Sequence, residues 1–208
     1  IQGATGFKVP STKWLKALRQ RCDEVGAMLI FDEIQTGFGR TGQLFATNTF
    51  GVTPDILCIA KGMGGGMPIG CFISSKENMD NLKDNPKLGH ITTFGGHPVC
   101  CAASLATLTT LVEDRNIIQS VERKEQIFRE NLQHPKIKEV RGKGLMLAIE
   151  LDDPKHCQYL VEKGYEQGLI MFFFLFTNTA VRLSPPLIIS EEEIIKACNT
   201  IKDILNEV

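Results

Sequence analysis

An aspartate and a lysine follow two short apolar segments of the sequence. Residues 27–31 form a continuous apolar run that ends at Asp32, and residues 56–60 form a second run that ends at Lys61. Such runs suit strands of a parallel sheet that is covered on both faces. Ligands of open parallel sheets bind beyond the carboxyl ends of the strands, so we expect the acid and the amine to face one crevice.

The glycine-rich segment after Lys61 leaves room for a bulky group beside the amine. Residues 62–66 read Gly-Met-Gly-Gly-Gly, and glycine allows the backbone to approach a neighbouring group closely. The alternative is an ordinary ion pair between Lys61 and Asp32 at the edge of the sheet. The spacing of these residues alone favours neither interpretation.

A glycine pattern typical of dinucleotide-binding proteins also occurs. Gly37, Gly39 and Gly42 match it, and an acidic residue, Asp55, follows at a suitable distance. The pattern requires a strand that turns directly into a helix whose N-terminus binds pyrophosphate. Residues 34–36 intervene after the expected strand, and the segment after Gly42 does not favour a helix. We therefore reject a nicotinamide-dependent oxidoreductase.

The remaining sequence indicates alternating helices and strands. Up to about residue 112, this alternation argues for an α/β layer structure. From about residue 113, the order of elements suggests a separate small α+β domain. The expected helices are 14–25 (with Trp14, Leu15, Leu18 and Cys22 on its apolar face), a long buried helix at 98–108, a charged amphipathic helix after 113, and helices at 157–167 and 191–208; the further strands are 69–74, a pair within 140–151, and an extended segment at 169–176.

The last helix has a clear local signal for its start. Ser190 is the expected N-cap, and Glu193 completes a capping box. In such a box the serine and glutamate side chains each accept a hydrogen bond from the other residue's backbone N–H. We therefore expect the helix to begin at residue 191.

Composition and charge argue against several classes of function. The formal net charge is −1, so the chain offers no basic field for nucleic acid or an anionic membrane. The longest apolar run, residues 169–176, is too short to cross a bilayer. The seven cysteines lack the spacing of a metal site, and we expect them to be buried free thiols in a reducing cytoplasm.

Five segments of the sequence together carry a family resemblance. They are residues 29–42 (LIFDEIQTGFGRTG), 60–70 (AKGMGGGMPIG), 93–98 (TFGGHP), 141–145 (RGKGL) and 181–187 (VRLSPPL). In this order and at about these spacings they resemble class III aminotransferases of the ornithine and acetylornithine type. The resemblance extends from Gln2 to the end of the chain. Any one segment is a weak signal, whereas the five together are highly specific.

The resemblance implies an enzyme of fold type I that uses pyridoxal 5'-phosphate (PLP). Residues 1–112 would be the C-terminal part of the large, mainly parallel-sheet PLP-binding domain, and residues 113–208 the small C-terminal α+β domain. The implied reaction moves an amino group from an amino acid or ω-amino acid to a 2-oxo acid, with 2-oxoglutarate as the expected acceptor. The family also implies a homodimer whose active site is shared between subunits.

The functional residues of the family correspond to five positions of this sequence. Lys61 would form the Schiff base with the PLP aldehyde and then move a proton between substrate and cofactor. Asp32 would keep the pyridine nitrogen protonated, and Gln35 would lie near the ring hydroxyl. Thr93 would reach the cofactor phosphate of the neighbouring subunit. Arg182 would bind a substrate carboxylate through two hydrogen bonds, although a salt bridge under the following Pro-Pro loop is the alternative.

Three other polar residues of the same segments are given no catalytic role. Glu33 and Arg40 are interpreted as structural partners in the wall of the crevice. His97 stands where the family more often has Asn, and nothing chemical is expected of it.

The sequence departs from the family at Ala4 and at its start. Ornithine- and GABA-type members have Glu at the position of Ala4, and that acid partners the arginine that corresponds to Arg182. The turn that binds the cofactor phosphate and the aromatic residue that stacks on the ring are not recognisable, so we expect a fragment that lacks the N-terminal half. A PLP aminomutase or decarboxylase of the same fold and a non-catalytic dimerisation fragment stay open as alternatives.

Overall fold

Contacts between residues divide the chain into two units in the computed structural model, which describes residues 1–87 and 89–208. The Lys61 unit comprises residues 11–38 and 43–115, and the Arg182 unit comprises residues 1–10, 39–42 and 116–208. The sequence did not predict that 1–10 and 39–42 belong with the C-terminal residues. The assignment of 1–112 to a larger PLP-binding domain and of 113–208 to a small domain stays a prediction.

The Lys61 unit contains a three-stranded sheet with helices. Strands β1 and β2 are parallel, with Asp32 opposite Cys58, and β3 is antiparallel to β2. The predicted strands are therefore confirmed, and Asp32 is the last residue of its strand. The elements are α1 (Thr12–Val25), β1 (Ile30–Asp32), α2 (Ala46–Phe50), β2 (Ile56–Ile59), a 3-10 turn (Lys61–Gly64), β3 (Cys71–Ser74), α3 (Lys76–Asp80) and α4 (Pro98–Glu113).

Helix α1 begins and ends at residues suited to those positions. The Ser11 side chain accepts a hydrogen bond from the backbone N–H of Trp14, and Gly26 ends the helix in the left-handed conformation at φ 67°. Its buried face packs Leu15 against Leu29 and Val52. Trp14 is 56% exposed, so its expected place on the apolar face is wrong.

Burial in the Lys61 unit is lower than predicted. Only Cys100 and Leu111 of helix α4 are buried, and Leu105 is 65% exposed. The strands are also not covered on both faces, since Ile30 is 56% exposed. Both predictions of full burial are wrong for this chain. Apolar residues lie on all sides of α4, whereas the chain covers only part of its surface, including the part against the 3-10 turn.

The Arg182 unit contains a four-stranded antiparallel sheet in the order β4-β5-β7-β6. One face of the sheet packs against helices and forms the main core, which includes Val121, Leu147, Val181, Cys198 and Ile201. The elements are α5 (Arg115–Asn131), β4 (Ile137–Lys143), β5 (Met146–Leu151), α6 (Pro154–Glu166), β6 (Phe172–Phe173), β7 (Ala180–Leu183) and α7 (Glu191–Asn206). The predicted strand pair and three helices are confirmed.

Two details of the Arg182 unit bear on the predictions. The capping box of α7 is confirmed, because Ser190 Oγ accepts from Glu193 N at 3.1 Å and Glu193 Oε2 accepts from Ser190 N at 2.8 Å. The extended segment predicted at 169–176 is a regular strand only at β6, and Leu169 N still donates to Gly164 O in the turn that ends α6. No helix within 1–87 and 89–208 is long and apolar enough to span a membrane.

Candidate active site

The structure places Asp32 and Lys61 at the same edge of the sheet in the Lys61 unit. Strands β1 and β2 run parallel side by side, and Glu33 N donates to Cys58 O at 2.8 Å just beyond Asp32. Asp32 ends β1, and Lys61 stands two residues after β2. Both residues are exposed. The acid and the amine thus follow the carboxyl ends of adjacent parallel strands, which is where ligands bind in open sheets.

Asp32 and Lys61 are not joined by an ion pair. Neither residue has an ionic partner anywhere in the described part of the chain. Asp32 Oδ1 accepts a hydrogen bond from Ile34 N at 2.9 Å, which orients the carboxylate. The alternative of an ordinary ion pair at the sheet edge is therefore not observed. Both groups are free to interact with a ligand.

Lys61 has an unusual backbone conformation. Its φ is 48°, in the left-handed region that residues other than glycine rarely adopt, at a cost of about 1–3 kcal/mol. The 3-10 turn that begins at Lys61 is closed by a hydrogen bond from Met63 N to Ala60 O at 3.1 Å. Strain of this kind persists where the surrounding structure determines the backbone, and it is frequent at functional sites.

The glycines after Lys61 were predicted to leave room for a bulky group, but two of them lie packed against the rest of the chain. A Cβ on Gly65, whose φ is 56°, would contact Thr107 Oγ1 and would lie 3.2 Å from Ala103 O, both in α4. A Cβ on Gly62 would lie 3.2 Å from the Cβ of Phe38. Only Gly66 of these three faces open space within 4 Å. The turn therefore needs glycine to lie directly on α4 and Phe38.

Glu33 is a buried acid with structural hydrogen bonds, in agreement with the structural role expected from the sequence. Its carboxylate accepts from Ala46 N at 2.6 Å, from Thr47 N at 2.7 Å and from Thr36 Oγ1 at 2.9 Å. These bonds occupy amides at the N-terminus of α2. A helix does follow Gly42, contrary to the expectation, but it has five residues and Glu33 occupies the amides that a pyrophosphate would need.

Gln35 and Thr93 are both exposed and lie in irregular segments of the Lys61 unit. No hydrogen bond in the described residues joins either of them to Asp32 or Lys61. Thr93 precedes α4, and the side chain of His97 caps that helix by accepting from Val99 N at 3.3 Å. The capping role of His97 was not predicted. The roles of Gln35 and Thr93 stay predictions.

Arg182 lies on β7 between Ala148 of β5 and Phe172 of β6. Its Cζ is 5.2 Å from the ring centroid of Phe7 and 5.1 Å from that of Phe174. Its Nε is buried without a hydrogen-bond partner, and no carboxylate in 1–87 or 89–208 pairs with it. The predicted alternative, a salt bridge under the Pro-Pro loop, is not observed. Cation–π contacts of this kind contribute about 0.5–2 kcal/mol.

Arg40 is a structural cation of the same unit. Its Nη1 donates to Leu145 O at 3.3 Å and also to Pro185 O, in the loop after β7. Burial lowers the pKa of the Arg40 guanidinium from its usual value. The bonds to backbone carbonyls leave this residue a supporting role, as expected.

The cysteines are free, as predicted, but not all of them are buried. Cys100, Cys157 and Cys198 are buried, whereas Cys71 and Cys101 are exposed, so the prediction of burial is wrong for these two. Burial raises the pKa of the Cys157 and Cys198 thiols to about 12, so both stay protonated. No group of three or more His, Cys, Asp and Glu residues suited to a metal ion occurs among the described residues.

The sequence did not predict that Phe7 and Phe174 lie against Arg182 of the candidate site. Phe174 belongs to a run of phenylalanines at 172–174 that was interpreted only as an extended segment. Phe7 carries no local signal, since its partner Arg182 is far away along the chain. Only the folded chain brings the three residues together.

Comparisons with known proteins identify relatives over the whole chain. The family described as aminotransferase class-III matches residues 1–205. The acetylornithine aminotransferase of Caldanaerobacter subterraneus subsp. tengcongensis is 40% identical over 213 residues, which cover 100% of this chain and 52% of that protein. The putrescine aminotransferase of Pectobacterium atrosepticum is also 40% identical, over 100% of this chain and 45% of its own length.

Solved structures agree with these matches. The ornithine aminotransferase of Toxoplasma gondii is 36% identical with a TM-score of 0.89, and the match covers 100% of this chain and 50% of that one. An (S)-enantioselective omega-transaminase from Thermomicrobium roseum is 32% identical with a TM-score of 0.89, over 100% of this chain and 49% of that one. The chain spans about half the length of the relatives it matches.

Proposed function

The chain belongs to the class-III aminotransferase family, a family of PLP-dependent enzymes. We propose that the protein moves an amino group from an amino acid or ω-amino acid donor to a 2-oxo acid, with 2-oxoglutarate as the expected acceptor. The observation that carries the proposal is the unpaired acid and amine at the ends of two adjacent parallel strands.

The residues at this sheet edge fit PLP. When bound, PLP supplies an aldehyde that takes up the amino group and a ring that accepts electrons. Lys61 would hold the cofactor covalently through its amine and, once released, would carry a proton to and from the substrate. Asp32, oriented by its bond from Ile34 N, would accept a hydrogen bond from the ring nitrogen and keep a proton there. Gln35 would lie near the ring hydroxyl.

Arg182 would bind a carboxylate of the substrate. A guanidinium suits this task because it can donate two parallel hydrogen bonds to one carboxylate. The absence of an ion pair for Arg182 in the described residues supports the role. Ala4 stands where ornithine-type members have a partnering acid, so we do not extend the ornithine-type choice of substrate to this protein.

The proposed working form is a homodimer in the cytoplasm. Thr93 would reach the cofactor phosphate of the neighbouring subunit, which makes the active site a property of the dimer. Seven free cysteines, two of them deeply buried, suit a reducing compartment. Because the chain spans about half the length of its relatives, we propose that it acts as part of a longer polypeptide.

Reduction with borohydride tests the assignment of Lys61. The complete protein that contains this chain is loaded with PLP, reduced and digested, and peptide mapping should place the pyridoxyl group on Lys61. The label should survive Lys76→Ala, because Lys76 lies on α3 in an ion pair with Asp80 at 2.5 Å. A pyridoxyl group on another lysine would contradict the assignment. Turnover that does not depend on a 2-oxo acid would instead favour an aminomutase or decarboxylase.

A further inference from the structure

Two arginines occupy the second face of the sheet in the Arg182 unit. Arg141 of β4 and Arg182 of β7 both lie opposite Ala148 of β5, one on each side. Arg141 is ion-paired with Glu150 at 2.5 Å and with Glu139 at 3.7 Å. Arg182 has no carboxylate among the described residues. Two equivalent positions on one face thus differ in whether the protein itself neutralises the cation.

Aromatic rings take the place of a carboxylate beside Arg182. Phe7 and Phe174 meet edge to face with ring centroids 4.9 Å apart, and the guanidinium carbon lies about equally close to both. Both rings are buried, together with Ala148 and Ala180, in a small cluster on this face. Phenyl rings restrict the guanidinium without occupying its N–H donors in strong hydrogen bonds. The cation is therefore held but remains able to donate to a ligand.

Phe7 has an unfavourable backbone conformation. Its φ is 54°, which is uncommon for a residue with a bulky side chain, and Gly6 before it has a φ of 94°. The short loop is closed by the bridge between Gln2 and Lys8, with Gln2 N donating to Lys8 O at 3.0 Å. Unfavourable conformations are retained where a fold needs a side chain in one place, and they concentrate at functional sites.

We propose that Phe7 and Phe174 are positioning residues that hold Arg182 ready to bind a carboxylate of the substrate. A cation that is already restricted loses less conformational entropy when the ligand arrives, so binding becomes tighter. The identity of the ligand as an amino acid or 2-oxo acid rests on the proposed function. The positioning of Arg182 by the two rings rests on the geometry of this unit alone.

Binding of glutarate, an unreactive dicarboxylate, tests the proposal without requiring turnover. Isothermal titration calorimetry on the complete protein compares the wild type with Phe174→Leu, Phe174→Tyr and Phe176→Leu. We expect Phe174→Leu to weaken glutarate binding about fivefold, since one cation–π contact is lost. Phe174→Tyr keeps the ring and should bind like the wild type. Phe176 is a matched control from the same segment, because its side chain is 74% exposed and it is not among the rings on Arg182.

The outcomes separate this inference from the proposed function. Arg182→Lys should abolish most glutarate binding, and Phe174→Leu should raise KM for carboxylate substrates more than it lowers kcat. The inference is overturned if the wild type does not bind glutarate, or if Phe174→Leu binds it as tightly as the wild type. It is also overturned if Phe174→Tyr binds glutarate as weakly as Phe174→Leu. Absence of transamination in a wild type that still binds glutarate through Arg182 would sink the proposed function and leave the positioning role standing.

Discussion

The carboxylate of Asp32 is oriented by the chain but not neutralised by it. One oxygen accepts from Ile34 N, and no cation of the described residues pairs with the group. An acid in this state can hold a proton on a nitrogen base that is brought against it. The same sheet edge presents Lys61 on a strained backbone, so both polar groups lie where a ligand would meet them.

Replacing Asp32 by Asn should remove most of the activity while much of the PLP is retained. An amide has no charge with which to stabilise a protonated ring nitrogen. A shift of one pKa unit is a tenfold change in the protonation equilibrium, or about 1.4 kcal/mol. We expect turnover in the complete protein to fall at least about tenfold. Absorbance gives the cofactor content, and a coupled assay gives the rate. Asp84→Asn, on the exposed segment after α3, is the control, and near-normal turnover of Asp32→Asn would refute the role.

Among the secondary-structure elements, the 3-10 turn that begins at Lys61 contacts α4. Gly65 lies against Ala103 and Thr107 of α4, so the turn can approach the helix only because residue 65 has no side chain. Thr107 Oγ1 also donates to Ala103 O at 3.0 Å, which fixes the hydroxyl at the point of contact. We therefore expect helix α4 to support the turn that carries Lys61.

Gly65→Ala and Gly51→Ala form a matched pair that tests this support. Both glycines have similar positive φ values, 56° and 60°, but a Cβ on Gly51 meets no atom within 4 Å, whereas one on Gly65 meets α4. Both variants bear the cost of the left-handed conformation, and only Gly65→Ala adds overpacking of about 1–3 kcal/mol. Thermal unfolding should show the larger loss for Gly65→Ala, together with slower labelling of Lys61 by PLP. Equal losses in the two variants would mean that α4 does not support the turn.

Many apolar side chains of the Lys61 unit are exposed to solvent in this chain. Helix α4 exposes Val99, Leu105 and Val112, and the sheet exposes Ile30 and Ile73. Exposed apolar side chains and open strand edges favour association with another protein surface. The relatives are about twice as long as the chain, which is consistent with further polypeptide covering these residues.

Residues 1–208 alone should neither bind PLP tightly nor catalyse transamination. The phosphate is the main anchor of the cofactor, and the glycine- and serine-rich turn that binds it in the family is not recognisable in this sequence. The exposed apolar residues should also cause the isolated chain to associate. Analytical ultracentrifugation and absorbance measure the two properties. A monodisperse species of 23.1 kDa that converts an amino acid with 2-oxoglutarate would overturn this expectation.

Local patterns were sufficient for several features of the fold and the candidate site. The capping box of α7 depends on residues three positions apart, and the apolar runs before Asp32 and Lys61 are continuous in sequence. Short-range hydrogen bonding and continuous apolar runs therefore predicted these elements without reference to the rest of the molecule. The family motifs are local in the same sense, and they placed the chain in its family.

Other features depend on contacts between residues that are far apart in sequence. Arg141 Nε donates to Gly6 O at 2.5 Å across 135 residues, and the rings of Phe7 and Phe174 meet over a longer separation still. The burial of α4 could not be predicted, because its apolar composition does not say whether a partner surface lies in the same chain. Which arginine of the second sheet face is neutralised was also settled by three-dimensional packing, since ion pairing requires atoms within a few ångströms and sequence spacing does not report that distance.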